Sequence, residues 1–135
     1  MEPRYLLDTN IIVYIRRKRP EQALLRFRQL LPGEAAISVI THGELFYGAV
    51  KHVQQARALV ELSELIDLIP VLSLPENAPE TYGTIRADLE SKGEIIGAHD
   101  LWIAAHALAS GLILVTNNEK EFRRVRGLKI QNWII

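Results

Sequence analysis

The stretch Gly111-Leu112-Ile113-Leu114-Val115-Thr116-Asn117-Asn118 decides how this chain folds. Its apolar, mostly branched residues, bounded by a glycine and a polar turn, read as a short strand buried on both faces. Tyr5-Leu6-Leu7 followed by Asp8-Thr9-Asn10 repeats the plan, as does Ala35-Ala36-Ile37-Ser38-Val39-Ile40 followed by Thr41 and Glu44. Each apolar run ends in residues that carry oxygen or nitrogen donors.

Helical patterns fill the intervals. One begins at Thr9; a second runs over 20–31 with Pro20 as its first residue; a third opens at Thr41 and runs through Val50, and a fourth spans 53–66. Residues 69–74 form a third strand that Pro70 confines to an edge or a strand start, and Pro75 opens a helix ending near Gly93. A helix over 98–109 stops at Gly111, a short one surrounds Phe122, and 128–135 supply the last strand. Strands alternating with helices imply parallel pairing through right-handed crossovers, hence an α/β three-layer sandwich around a central, mostly parallel sheet. In such sheets ligands gather at the carboxyl ends of the strands.

Composition bounds the answer from the other side. With 135 residues, 48% hydrophobic and 24% charged, the expectation is one domain over 1–135. No cysteine is present, which excludes disulfide frameworks, iron-sulfur sites and thiol nucleophiles and suits a reducing, cytoplasmic setting. No apolar run approaches the length of a signal core or a membrane span, so no membrane partner is expected. Sixteen basic residues balance sixteen acidic ones. The balance is uneven along the chain, with basic residues at Arg16 to Arg19, Arg26 and Arg28 and again from Lys120 to Lys129, and mostly acidic ones between Glu61 and Asp100. Solvated helix faces explain such runs as well as two arms that hold a polyanion.

The topology brings Asp8, Glu44 and Asp100 to the same edge of the sheet, with Thr41, Thr116, Asn117 and Asn118 beside them. Each has an ordinary structural use: Asp8 as a helix cap, Thr41 and Glu44 as a capping box, Asp100 against a helix dipole, the asparagines as turn formers. Together, carboxylates a few ångströms apart need raised pKa values or a bound cation, and oxygen donors suit Mg²⁺ or Mn²⁺. The four histidines make no zinc signature, and neither a Gly-rich phosphate loop nor a G-x-S-x-G elbow occurs. Trp102 and Trp133 are read as core residues.

Four ordered motifs then carry a resemblance. Leu7-Asp8-Thr9-Asn10-Ile11, the segment from Ile40 to Ala49, the segment from Gly97 to Ala107, and Leu114-Val115-Thr116-Asn117-Asn118 followed by Glu121-Phe122 resemble the PIN domain, and within it the VapC toxins. The resemblance implies an Mg²⁺- or Mn²⁺-dependent endoribonuclease acting on tRNA or ribosomal RNA, a VapB-like antitoxin and a homodimer. It implies Asp8 and Asp100 as principal metal ligands, Glu44 as the third acid, and Asn118 at a position where many relatives carry Asp. Thr9, Ser38 and Thr116 would orient water and carboxylates. The neutral Asn118 makes a single-ion site the working expectation. The helix over 53–66 is a candidate antitoxin contact. A PIN fold that binds RNA or a partner without cutting it is the alternative. A phosphoacceptor module or a haloacid-dehalogenase-like phosphatase fits less well, since Asp8 stands without the second acid either would need.

Overall fold

The computed structural model describes residues 2–135. Met1 lies outside them. Strands β1 (Tyr5–Leu7), β2 (Ala35–Ser38), β3 (Val71–Leu72), β4 (Ile113–Val115) and β5 (Ile130–Gln131) form one sheet in the order β3-β2-β1-β4-β5. Every neighbouring pair is parallel, with Leu6 opposite both Ala36 and Leu114. Helices α1 (Thr9–Arg17) and α2 (Glu21–Arg28) link β1 to β2, and α3 (Val39–Lys51) and α4 (Gln55–Leu68) link β2 to β3. From β3 the chain passes through α5 (Ala78–Ser91) and α6 (Ala98–Ser110) to β4, and α7 (Glu119–Phe122) precedes β5.

Alternation along the strands divides the core into two layers. Tyr5, Leu7, Ile37 and Val115 point to a cluster with Ile11, Ile12, Leu62 and Trp133, beneath α1 to α4. Leu6 and Leu114 point the other way, to Leu89, Leu101, Ile103 and Phe122 beneath α5 to α7. The expected three-layer α/β arrangement is therefore the observed one. Trp133 is fully buried and meets Tyr5 edge to face, while Trp102 is half-buried and stacks on Tyr82 at 4.0 Å.

The chain moves outward from β1 to β2 and β3 on one side, then returns to place β4 and β5 on the other. The order of the strands thus reverses between β1 and β4. At such a switch point the two connections leave in opposite directions and open a crevice at the carboxyl edge. Asp8 follows β1 and Thr116 follows β4, so both stand at its mouth.

Several boundaries differ from the sequence expectation: β3 is Val71–Leu72 instead of 69–74, α5 starts at Ala78 instead of Pro75, α2 ends at Arg28 instead of residue 31, and α4 is shifted two residues from 53–66. Three further differences have plain physical reasons. The second strand ends at Ser38 rather than at residue 40, because the Ser38 hydroxyl accepts the Ile40 N–H and starts α3 at Val39. Thr41 therefore lies inside the helix, and the capping-box reading of Thr41 and Glu44 is replaced by a Ser38 cap. Pro20 caps α2 instead of opening it. The final strand is only Ile130–Gln131, set by its pairing with β4. Among the described residues no helix is long and apolar enough to cross a membrane.

Candidate active site

Asp8 is both helix cap and site residue. Its Oδ1 accepts the Thr9 N–H at 2.7 Å, and its Oδ2 accepts the Thr116 hydroxyl at 2.9 Å. Only 5% of Asp8 is exposed, and burial raises its pKa against the opposing pull of Thr116, Thr9 and His99. The Thr116 hydroxyl also accepts the Asn118 N–H at 3.0 Å, so one side chain couples the end of β4 to both Asp8 and the start of α7.

Asp100 lies in the first turn of α6, which begins after Gly97. Burial pushes its carboxyl up to about 6, helped by the charge of Asp8 and by the Glu121 carboxyl beside it on α7; only His99 pulls the other way. One ligating atom each from Asp8, His99 and Asp100 lies within 4.8 Å of the others. Glu44, on the second turn of α3, reaches this group through His99, whose Nδ1 stands 3.4 Å from Glu44 Oε1.

The structure thus gathers Asp8, Asp100, Thr9 and Thr116 in one place and sets Glu44 one residue away. Asn118 is held by its backbone and caps α7, with no side-chain cap bond. Ser38 lies elsewhere: its hydroxyl pairs with His106 Nδ1 at 2.7 Å as well as capping α3, the helix that carries Glu44. Two residues at the crevice escaped the sequence reading. His99 had a signal in its adjacency to Asp100, and Glu121 in its position one helical turn beyond Asn118.

The donor set fits a divalent cation. Two carboxyls with raised pKa values and a third acid against them are groups whose charged forms lack compensation among the surrounding side chains. A hard cation supplies it.

The surroundings are less polarised than the sequence. Arg16 pairs with Glu61 and Arg126 with Asp88, joining each basic stretch to the acidic one, while Arg86 with Glu90 and Arg123 with Glu119 pair locally. Arg17, Arg19 and Lys120 have no ion pair among the described residues. From Thr9 and Glu44 a groove of about 500 Å³ runs between α1, α3 and α4, floored by Val13, Leu45 and Ala49 and flanked by Arg16 and Arg17.

A family model described as "PIN domain" matches residues 5–128. The chain belongs to the PIN-domain family. Its PIN domain is 40% identical over 131 residues to Ribonuclease VapC2 of Haemophilus influenzae, covering 97% of this chain and 98% of that one. It is 39% identical over 130 residues to the tRNA(fMet)-specific endonuclease VapC of Shigella flexneri, covering 96% and 98%. Among solved structures it superimposes on DNA-bound VapBC from Salmonella typhimurium with a TM-score of 0.89 at 40% identity, over 98% of this chain and 99% of that one. The PIN domain described here is therefore of the VapC kind, and the switch-point crevice is where its acids meet.

Proposed function

We propose that this chain is an endoribonuclease toxin whose single domain, 1–135, cleaves structured RNA such as tRNA or ribosomal RNA with Mg²⁺ or Mn²⁺, in the cytoplasm, and is neutralised by a VapB-like antitoxin. The observation that carries the reading is the pair of carboxyls, Asp8 and Asp100, held together with raised pKa values at the switch point. The likeness to VapC ribonucleases supports it.

In this reading Asp8 and Asp100 hold the ion, with Glu44 as third acid, directly or through water. When bound, the ion polarises the scissile phosphate and lowers the pKa of water to make a nucleophile near neutral pH. Thr9 and Thr116 fix the orientation of Asp8 by hydrogen bonds to its two oxygens. Ser38 acts at longer range, by starting the helix on which Glu44 sits. Asn118 contributes an amide without charge and Glu121 the carboxyl on the α7 side, which suits a single ion. Arg17, Arg19 and Lys120 remain available to flanking phosphates.

In this reading the antitoxin segment occupies the groove between α1, α3 and α4. Within the expected 53–66 contact helix, Leu59, Leu62, Leu65 and Ile66 pack into the core, and Ala58, at the core's edge, and Glu61 line the groove. The opposite side of α3 exposes Phe46, Tyr47 and Val50, an apolar surface suited to a second copy of the chain. A homodimer predicts twice the chain mass by light scattering, reduced by Phe46→Glu.

The deciding experiment incubates antitoxin-free protein with bulk tRNA and ribosomal RNA in Mg²⁺, Mn²⁺ or EDTA, beside Asp8→Asn. Discrete metal-dependent fragments, lost in the variant, are expected. RNA retained on a gel in EDTA, without cutting in either metal, would instead favour a non-catalytic binding module.

A further inference from the structure

We propose that His99 is a nitrogen ligand of the divalent ion, so that the site is a mixed nitrogen and oxygen donor set with a preference for Mn²⁺ over Mg²⁺. The inference rests on the metal-dependent reading of the same crevice and adds a ligand to it.

Position is the first argument. His99 is the second residue of α6, next to Asp100, and its ring is turned into the crevice rather than along the helix surface. One ring nitrogen is in the set whose ligating atoms lie within 4.8 Å of one another. His99 is the one nitrogen donor in that set among the described residues. Glu44, the acid expected to bind alongside Asp8 and Asp100, is instead reached through the imidazole at 3.4 Å.

Chemistry is the second. A neutral imidazole offers one N–H and one lone pair. Ligating histidines commonly donate the remaining N–H to a carboxylate, which fixes the ring and raises its basicity. Glu44 stands where that carboxylate is needed. The ring therefore fits as a bridge, with one nitrogen toward the ion and the other toward Glu44. His106, two turns along the same helix, cannot serve this role, because it is fully buried and its Nδ1 is engaged by Ser38.

Metal preference follows from donor type. Mg²⁺ holds to oxygen ligands and keeps much of its water, whereas Mn²⁺, although the weakest binder of the first-row divalent ions, accepts an imidazole nitrogen more readily than Mg²⁺ does. Replacing one carboxylate or water by imidazole therefore shifts the balance toward Mn²⁺.

The test loads the full chain with Mn²⁺ alone and reads nitrogen hyperfine coupling by pulsed electron paramagnetic resonance, with unlabelled and heavy-nitrogen-histidine-labelled protein. Directly bound imidazole coupling that changes with the histidine label is expected in the wild type and should be absent in His99→Ala. Calorimetry should find Mn²⁺ affinity reduced about tenfold in His99→Ala, with a clearly smaller loss for Mg²⁺. Wild-type protein that binds Mn²⁺ without imidazole coupling overturns the proposal even if His99→Ala fails to fold. An unchanged ratio of Mn²⁺ to Mg²⁺ affinity in a folded variant overturns the metal preference. Asp100→Asn separates the two levels: loss of Mn²⁺ binding there, with no imidazole signal in the wild type, leaves the metal reading standing and removes His99. No Mn²⁺ binding by the wild type removes both.

Discussion

Two polar constellations hang from the carboxyl edge of the same sheet, and they differ in what they leave over. At the end of β2, Ser38 and His106 form a neutral pair, both fully buried and 68 residues apart in sequence. At the ends of β1 and β4, Asp8 and Thr116 are joined across 108 residues and almost as deeply buried, yet the carboxylate faces Asp100, which also has the Glu121 carboxyl beside it. The first constellation carries no net charge, leaves only His106 Nε2 buried without a partner, and fixes the start of α3. The second keeps excess negative charge at neutral pH, a cost that a proton or a bound cation removes. A buried polar pair is thus a structural device when it is neutral and a site when it is not.

Asp100→Asn is the sharpest way to break this contrast. If the acids serve a cation, removing one should cost several kcal/mol of transition-state stabilisation, about a thousandfold in RNA cleavage. The metal-free variant should also melt at a higher temperature than the wild type, because an uncompensated charge has been removed. Lost cleavage with a lower melting temperature would mean that Asp100 is a structural acid. His106→Ala should behave in the opposite manner. Opening a cavity and stripping Ser38 of its partner should cost about 2 kcal/mol in urea denaturation, while Mn²⁺ affinity is nearly preserved.

The difference is also expected in the sign of the pH dependence. Asp100 holds its proton up to about pH 6 in the fold, against an ordinary value of 3.8. The folded state therefore binds more protons between these values, and the stability of metal-free protein contributed by Asp100 falls as pH rises through that window. Burial lowers the pKa of His106 below its ordinary 6.5, so the unfolded state takes up the proton first and stability is lost as pH falls below that value. Melting curves in EDTA from pH 4 to about pH 8 should show the first trend weakened in Asp100→Asn, with the part that Asp8 contributes remaining, and the second lost in His106→Ala. Mn²⁺ should raise the melting temperature more at neutral pH than at pH 5, since binding requires the deprotonated acids.

How much of this was legible depends on whether the signal was local. The switch from Leu7 to Asp8, and from Val115 to Thr116, marks strand ends directly, and the alternation of elements gives the parallel sheet. The start of α3 was misplaced because Val39 and Ile40 are β-branched and extend the apparent strand, while the Ser38 cap overrides that preference. The Ser38 and His106 pair has no local trace. A histidine in an alanine-rich helix finds its partner only through the crossover of α6 over the sheet. Glu121 was hidden for a similar reason, since its importance comes from the packing of a four-residue helix, Glu119–Phe122, against the start of α6.

The smallest expected effect comes from Asn118→Asp. The Asn118 backbone is tied through the Thr116 hydroxyl to Asp8, so the residue is fixed beside the acids although its own side chain is neutral. A carboxylate there would add a further negative charge to a crevice already holding Asp8, Asp100 and Glu121, with Glu44 behind His99. Metal-free protein should therefore melt at a slightly lower temperature, and Mn²⁺ affinity should rise by a few fold, about 1 kcal/mol or less at this partly exposed position. The two shifts must occur together, because the same charge that repels the acids attracts the ion. A lower melting temperature without tighter binding would place Asn118 in the structural constellation, a turn residue that holds Thr116 rather than one that faces the cation.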